Sequence, residues 1–426
     1  MGLEDGFRGE FPLAVLANQW PNRGVMNAPS KTPIRTARTA SAAAGKALVV
    51  PHPAHIQAAA ESLREQVLAA CGAMDLAVAS GDKDFLRAMH IGAKQITQQR
   101  EKANALFRRH QRHFKVGSQI DPARIDPVLQ PAETTGLWSE LFFVTRCMWS
   151  MPYNKGYGRR LRYVVYDQYH ESVIGIIGLQ SPPADLAVRD ALFKSPAETK
   201  LSLVNATLDA YAVGAVPPYS FLLGGKLCAG MISTDTIRRG YWRQYVGKQT
   251  EMSNAQISQP LVGVTTTSAF GRSSQYNRLK YKDRLLAEPI GYTQGYGMLH
   301  LEHLYEEACS FLKLIGKYTD PGYGNGPKVR WQNMTKTLLG VGLPSSMLRH
   351  GVLREVFLYR FVEDFDKGMA GGEFGAPINL SEQDFGSYWR ERWAMPRAAR
   401  FPDWSQGDEH ATIQRALNAE FATPAP

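Results

Sequence analysis

The chain has 426 residues, 44% of them hydrophobic and 10% aromatic, so it can bury a large core and is neither a disordered nor a fibrous sequence. Its formal charge of +10 suits an anionic partner such as nucleic acid or phosphate without requiring one. No apolar run approaches the ~20 residues of a membrane-spanning helix, and the start, MGLEDGFRGEFPLAV, has acids where a signal peptide has bases, so a cytoplasmic protein with no membrane partner is expected.

Residues 1–50 are expected to form a basic flexible arm. Between Glu10 and Glu61 there is no acid, while Arg23, Lys31, Arg35, Arg38 and Lys46 fall in that window. Small and polar side chains with proline cannot offset the entropy of ordering. A helical region follows over 51–130. Its first part, PAHIQAAAESLREQVLAACGAMDLAVAS, has apolar steps of three and four. After Gly81, Asp82 can cap a second helix. The later half of that helix carries Arg100, Lys102, Arg108, Arg109, Arg112 and Lys115 against Glu101 alone. Such a helix can lie along DNA or RNA phosphates, or present an ordinary solvated face.

From about 131 to 320 the pattern becomes α/β. LWSELFFVTRCMWSMPY predicts a packed helix. LRYVVYDQYHESVIGIIGLQSP predicts two strands around a polar turn at Asp167–Glu171. A strand in LSLVNATLDAYAVGAV stops at Pro217 and Pro218. Gly224, Gly225 and Lys226 then open a helix, and Ser233 or Thr234 can cap the next one, DTIRRGYWRQYVG. LVGVTTTSAF is β-branched and predicts a strand. From 321 a helical and loop extension is expected, with helical periodicity in LPSSMLRHGVLREVFLYRFVEDF and tryptophans Trp389, Trp393 and Trp404 packing on the body.

Two segments carry the candidate site. Gly224, Gly225 and Lys226 place bare backbone and one positive charge at a helix start, where unpaired amides and the helix dipole favour an anion. Lys226 is followed by Leu227, so the hydroxyl of a Walker A loop is absent. The alternative is that the glycines only permit tight strand–helix packing. The second segment holds Thr265, Thr266, Thr267, Arg272, Ser273, Ser274, Tyr276, Asn277 and Arg278, a hydroxyl-rich strand end followed by cations. A polar ligand at the carboxyl end of a strand needs that chemistry. The two segments are expected to converge on one pocket. No catalytic set is visible, and Arg189–Asp190 reads as an ordinary surface ion pair. His300 and His303 lack the HExxH spacing and the four cysteines are widely separated, so no metal site is expected.

The order hairpin, strand, glycine–lysine turn, helix, strand, tyrosine-bearing turn, strand resembles the acetyltransferase fold of the GNAT superfamily. That resemblance implies a mixed twisted sheet flanked by helices, with coenzyme pyrophosphate held at the glycine turn. The turn LLGGKLCAG differs from the usual one in its adjacent glycines and in having no Arg or Gln ahead of them. The stretches RYVVYD, IGIIGLQSP, VGAVPPYSFLLGGKL, TTTSAFGRSSQYNRLKY, GYTQGYG and GNGPKVRWQNM are similar to the DruA family. This second resemblance implies bacterial defence against phage beside partner proteins such as a helicase. Two functions stay open: a nucleic-acid-contacting component of a defence assembly, or an acyltransferase-like enzyme using acetyl-CoA or a nucleotide.

Overall fold

The computed structural model describes residues 53–82, 84–86, 94–149, 151, 155–183, 185–193, 197–250, 256–269, 271, 273–320 and 327–418. The expected arm over 1–50 lies outside them, as does Arg272. In chain order the main elements begin with α1 (Pro53–Ser80), α2 (Lys94–His110), β1 (Pro127–Pro131), α3 (Leu137–Cys147), β2 (Leu161–Asp167) and β3 (Ser172–Gln180). They continue with α4 (Ala197–Asn205), β4 (Thr207–Ala215), α5 (Gly224–Met231), α6 (Asp235–Tyr245) and β5 (Gly263–Thr267). A small hairpin, β6 (Lys280–Tyr281) and β7 (Arg284–Leu285), precedes β8 (Glu288–Tyr292), α7 (Tyr305–Leu314) and α8 (Pro327–Gly340). The described residues close with β9 (Glu355–Arg360), α9 (Phe365–Gly371), α10 (Glu382–Trp389), α11 (Met395–Arg400) and α12 (Glu409–Asn418). Among them no helix is long and apolar enough to cross a membrane.

The architecture is α/β, with one mixed sheet ordered β1-β2-β3-β4-β5-β9-β8 and flanked by helices. Every neighbouring pair is antiparallel except β4 and β5. Strand side chains alternate between faces, and β2 shows the result. Val164 packs with Phe107 of α2 and Leu141 and Val144 of α3. Tyr163 and Val165 belong to the other cluster, with Leu227 and Met231 of α5, Tyr241 of α6, and Phe385 and Trp389 of α10. Every residue of β3 is buried, as expected for a strand covered on both faces. A third cluster joins Leu63 and Val67 of α1 to Phe311 of α7 and Met334 and Leu338 of α8.

Local chemistry explains the elements. Asp82 caps as expected, its Oδ1 accepting from the amides of Asp84 at 3.0 Å and Phe85 at 2.9 Å. The β2–β3 turn is held by the buried Asp167 carboxylate, which meets His170 Nδ1 at 2.6 Å and accepts from the Tyr219 hydroxyl at 2.8 Å. Thr234 sits at the N-cap of α6 but does not cap it, because its hydroxyl donates back to the Met231 carbonyl at 2.7 Å. The segment LSLVN is the end of α4 rather than strand, and β4 begins only at Thr207.

The segment LREVFLYRF, expected as helix, holds no helix. Glu355–Arg360 is strand β9, inserted between β5 and β8. Its residues Glu355 to Tyr359 are all buried. A short apolar run covered on both sides has no face to show, so periodicity cannot separate helix from strand.

The C-terminal helices seal one face. Trp389 is fully buried, and its indole Nε1 donates to the Leu223 carbonyl at 3.1 Å. A Cβ on Gly230 of α5 would stand 1.9 Å from the Phe385 ring of α10. Gly230→Ala is therefore expected to destabilise the protein by about 1–3 kcal/mol through overpacking, despite alanine's better helix propensity. Urea unfolding reads this, and an unchanged or raised midpoint would show that α10 can move away freely.

Candidate functional site

β4 pairs with β5 only from Thr207 to Ala210, matched to Gly263–Thr266. Beyond that point β4 runs on to Ala215 while β5 ends at Thr267. A parallel pair presents both carboxyl ends on the same side, so a crevice opens where the two part. It has a volume of about 950 Å³, and its walls include Asp209 to Ala215 and Thr266 to Ala269.

Two devices keep β4 in place beside this opening. The β3–β4 register shifts so that Tyr211 is the extra residue of a bulge. Its ring fills the space over Gly178, where a Cβ would come within 2.8 Å. Across the gap, Gln275 Nε2 donates to the Val213 carbonyl at 3.1 Å and Thr266 Oγ1 to the Ala210 carbonyl at 2.9 Å. On the sheet's other edge of the crevice, Ser268 joins β5 to β9, its amide donating to the Glu355 carbonyl at 2.8 Å and its hydroxyl accepting from the Glu355 amide at 2.9 Å.

The two sequence segments meet here. Gly225, Lys226, Thr266, Thr267, Ser273, Ser274 and Tyr276 all line the cleft. Gly224 does not. Its amide donates to the Tyr219 carbonyl at 2.8 Å, and a Cβ there would lie 2.9 Å from Ala215 Cβ, so its role is close packing of α5 on β4. Leu223 before it adopts φ 62°, a left-handed conformation that costs a branched side chain about 1 kcal/mol, at the cleft lip. Thr265 lies behind the wall and donates to Asp209 Oδ1 at 3.0 Å. Asn277 and Arg278 are not part of the lining. The Asn277 carbonyl instead accepts from Lys226 Nζ at 2.8 Å.

Four further lining residues lie outside both candidate segments. Asp209 lines the cleft, held by Thr265 and by Gln180 Nε2, which donates to Oδ2 at 3.3 Å. Desolvation pushes its carboxyl up to about 6, against stabilisation by those two donors and by Arg189. Arg146 of α3 is buried, donates from Nη1 to the Met151 carbonyl at 3.2 Å and lies beside Trp149, which also lines the cleft. Arg354, just before β9, lines it as well, and its Nε is buried without a hydrogen-bond partner. Burial lowers the pKa of both Arg354 and Lys226 from the ordinary values, so each pays for being charged there. The available signal was a lone acid in an apolar strand (TLDAYAVGA) and a lone base in an apolar helix (LFFVTRC).

Elsewhere, Arg189 and Asp190 do not form a surface pair. The Arg189 side chain is 1% exposed, donating to Asp190 Oδ1 from Nη2 at 2.6 Å and to the Pro183 carbonyl at 2.8 Å. The basic residues of α2 and the turn after it are partly engaged. Lys102 lies 5.2 Å from the Phe143 ring centroid and Arg109 3.7 Å from Glu140. Arg112 Nε donates to His113 Nε2 at 3.2 Å, and Lys115 is half-buried. Arg108 is exposed, and Arg100 has a buried Nε without a partner. Among the described residues no group of three His, Cys, Asp or Glu side chains could hold a metal ion.

Fold and site together define an α/β protein with a cleft whose lining includes three cations and a carboxyl, where a parallel strand pair parts inside an otherwise antiparallel sheet. The family model described as "Druantia protein DruA" matches residues 81–371. The Druantia protein DruA of Escherichia coli (strain UMEA 4076-1) is 32% identical over 330 residues, 76% of this chain and 81% of that relative. The chain belongs to the DruA family. No solved structure matches it.

The raised Asp209 pKa has a stability consequence. Between the ordinary carboxylate value of 3.8 and about 6 the folded state holds a proton that the unfolded chain has lost. Stability therefore falls as pH rises through that window and stays lower above it. Asp209→Asn keeps an acceptor for Thr265, and the Gln180 amide can turn its partnerless Oε1 towards the new NH₂. The variant is expected to gain about 1–3 kcal/mol over the parent at about pH 8, with the gain gone by about pH 4. Urea unfolding across that range measures it, and a pH-independent difference would contradict the assigned cause.

Proposed function

We propose that the chain acts in bacterial anti-phage defence as a DruA-type protein, and that its working site is the cleft, which takes a phosphate-bearing small molecule such as acetyl-CoA or a nucleotide. The observation that carries this reading is that Arg146, Lys226 and Arg354 line one cavity together with the carboxyl of Asp209. Two of those cations are destabilised by burial. An anion placed among them would relieve that cost, whereas an apolar ligand would deepen it. The Gly225 backbone beside Lys226 can approach a phosphate closely. Along the wall β4 runs beyond the end of its pairing with β5.

An acyltransferase-like core of the GNAT type fits the same features. The sheet has one parallel pair, the helix after the first strand of that pair opens with glycines, and the cleft lies where the pair parts. In that reading Asp209 accepts the proton from an attacking amine or hydroxyl, since a carboxyl near about 6 is largely ionised at neutral pH yet basic enough to serve. Thr266, Thr267, Ser273 and Ser274 would orient the second substrate.

A second reading is contact with DNA or RNA through α2 as part of a larger assembly with a helicase. The exposure of Arg108 and Arg112 favours it. It requires binding that weakens steeply as salt rises from about 50 to 500 mM, and salt-independent binding or none at all would dispose of it.

The cleft reading is tested by calorimetry with acetyl-CoA, coenzyme A and ATP. At least one is expected to bind, and Lys226→Ala and Arg354→Ala are each expected to weaken it by about 10–100-fold, the loss of one charge-assisted hydrogen bond. Binding that neither substitution disturbs would remove the anion role from these side chains.

A further inference from the structure

A second charged surface lies on α6, and it shares no residue with the cleft. The helix reads DTIRRGYWRQY, and its outer side carries Arg239, Trp242 and Arg243, all exposed, with Trp242 at 42%. A groove runs along each flank. One, of about 640 Å³, is walled by Arg160, Arg162, Arg239 and Arg243, with Glu133 as its single acid. The other, of about 830 Å³, is walled by Arg239, Trp242, Arg243, Pro260, Phe374 and Pro377. Arg239 and Arg243 thus stand in both.

The ridge is built rigidly. Gly240 lets α6 sit directly on β2, since a Cβ there would meet the Tyr163 hydroxyl at 2.0 Å. The Tyr245 hydroxyl accepts from the Arg160 amide at 2.6 Å and donates to the Arg160 carbonyl at 2.8 Å. Arg162 is aimed by its bond from Nη2 to the Glu133 carbonyl at 2.5 Å. Arg238, on the same helix, is neutralised by Asp235 at 2.7 Å. Arg160, Arg239 and Arg243 pair with no acid among the described residues.

An exposed tryptophan between unpaired arginines, with grooves to either side, has the chemistry of a stacking platform set in a backbone-tracking cationic track. A duplex hides its bases from such a tryptophan, whereas a single strand offers base faces and phosphates together. A small anion would not use the ridge between the grooves. We propose that α6 and its two flanking grooves form a binding surface for single-stranded nucleic acid, with Arg160, Arg162, Arg239 and Arg243 on phosphates and Trp242 stacked against a base. This is independent of the cleft and of the α2 contact.

The test is fluorescence anisotropy on the full chain, using labelled oligothymidine and oligouridine of about 20 nucleotides and a duplex of the same length. The parent is expected to prefer the single strands, and the two arms tell DNA from RNA. Arg239→Glu with Arg243→Glu should weaken binding at least about tenfold and flatten its salt dependence. Trp242→Ala should weaken single-strand binding about tenfold while leaving the salt slope unchanged. All three side chains are exposed, and circular dichroism confirms folding of the variants. No binding by the parent at low salt, a preference for duplex, or affinity lost only on Arg108→Glu with Arg112→Glu would overturn the proposal. The last outcome would leave the α2 reading standing, and none of them touches the cleft.

Discussion

The organisation of this protein depends on one pairing, the short parallel ladder between β4 and β5. It covers Thr207–Ala210 and then stops, while β4 continues. Every other neighbouring pair in the sheet is antiparallel and closes on itself through turns or returning strands. A parallel neighbour requires a crossover, and here the crossover contains the glycine turn, α5 and α6. The cleft, the α5 start that borders it and the α6 ridge therefore all follow from the same topological choice.

Electrostatics then separates the cleft from the surrounding surface. Surface ion pairs such as Lys367–Glu373 are solvated and contribute little. Arg146, Lys226 and Arg354 instead line one cleft, where burial disfavours the charged forms of Lys226 and Arg354 and desolvation disfavours the ionised form of Asp209. Shifts of this kind mark groups held for a ligand or a reaction more often than groups held for folding.

Much of this was legible in the residues. The β2–β3 hairpin announces itself through two β-rich runs around a polar turn, and β5 through its threonines. The glycine turn and the hydroxyl-rich segment could be placed together because each follows a strand end. Strand β9 was hidden because VFLY is apolar throughout and buried on both faces. Asp209 was visible as a lone acid, but neither its position beside Thr265 nor the parting of β4 from β5 can be read from one strand. Gly224 and Gly225 look equivalent in sequence. Only packing shows that the first meets Tyr219 and Ala215 while the second faces the cleft. The Arg189–Asp190 pair looks like any surface pair until the guanidinium is seen to be buried.

The most direct measurement is hydrogen–deuterium exchange of the full chain with and without saturating acetyl-CoA, and separately ATP. One of the two is predicted to slow exchange together at 211–215, at 223–226 and at 266–269 with 273–276, three stretches that contribute to the cleft lining. Unchanged exchange at all three with both ligands, or protection confined to other parts of the sheet, would contradict the assignment of the cleft as an anion site.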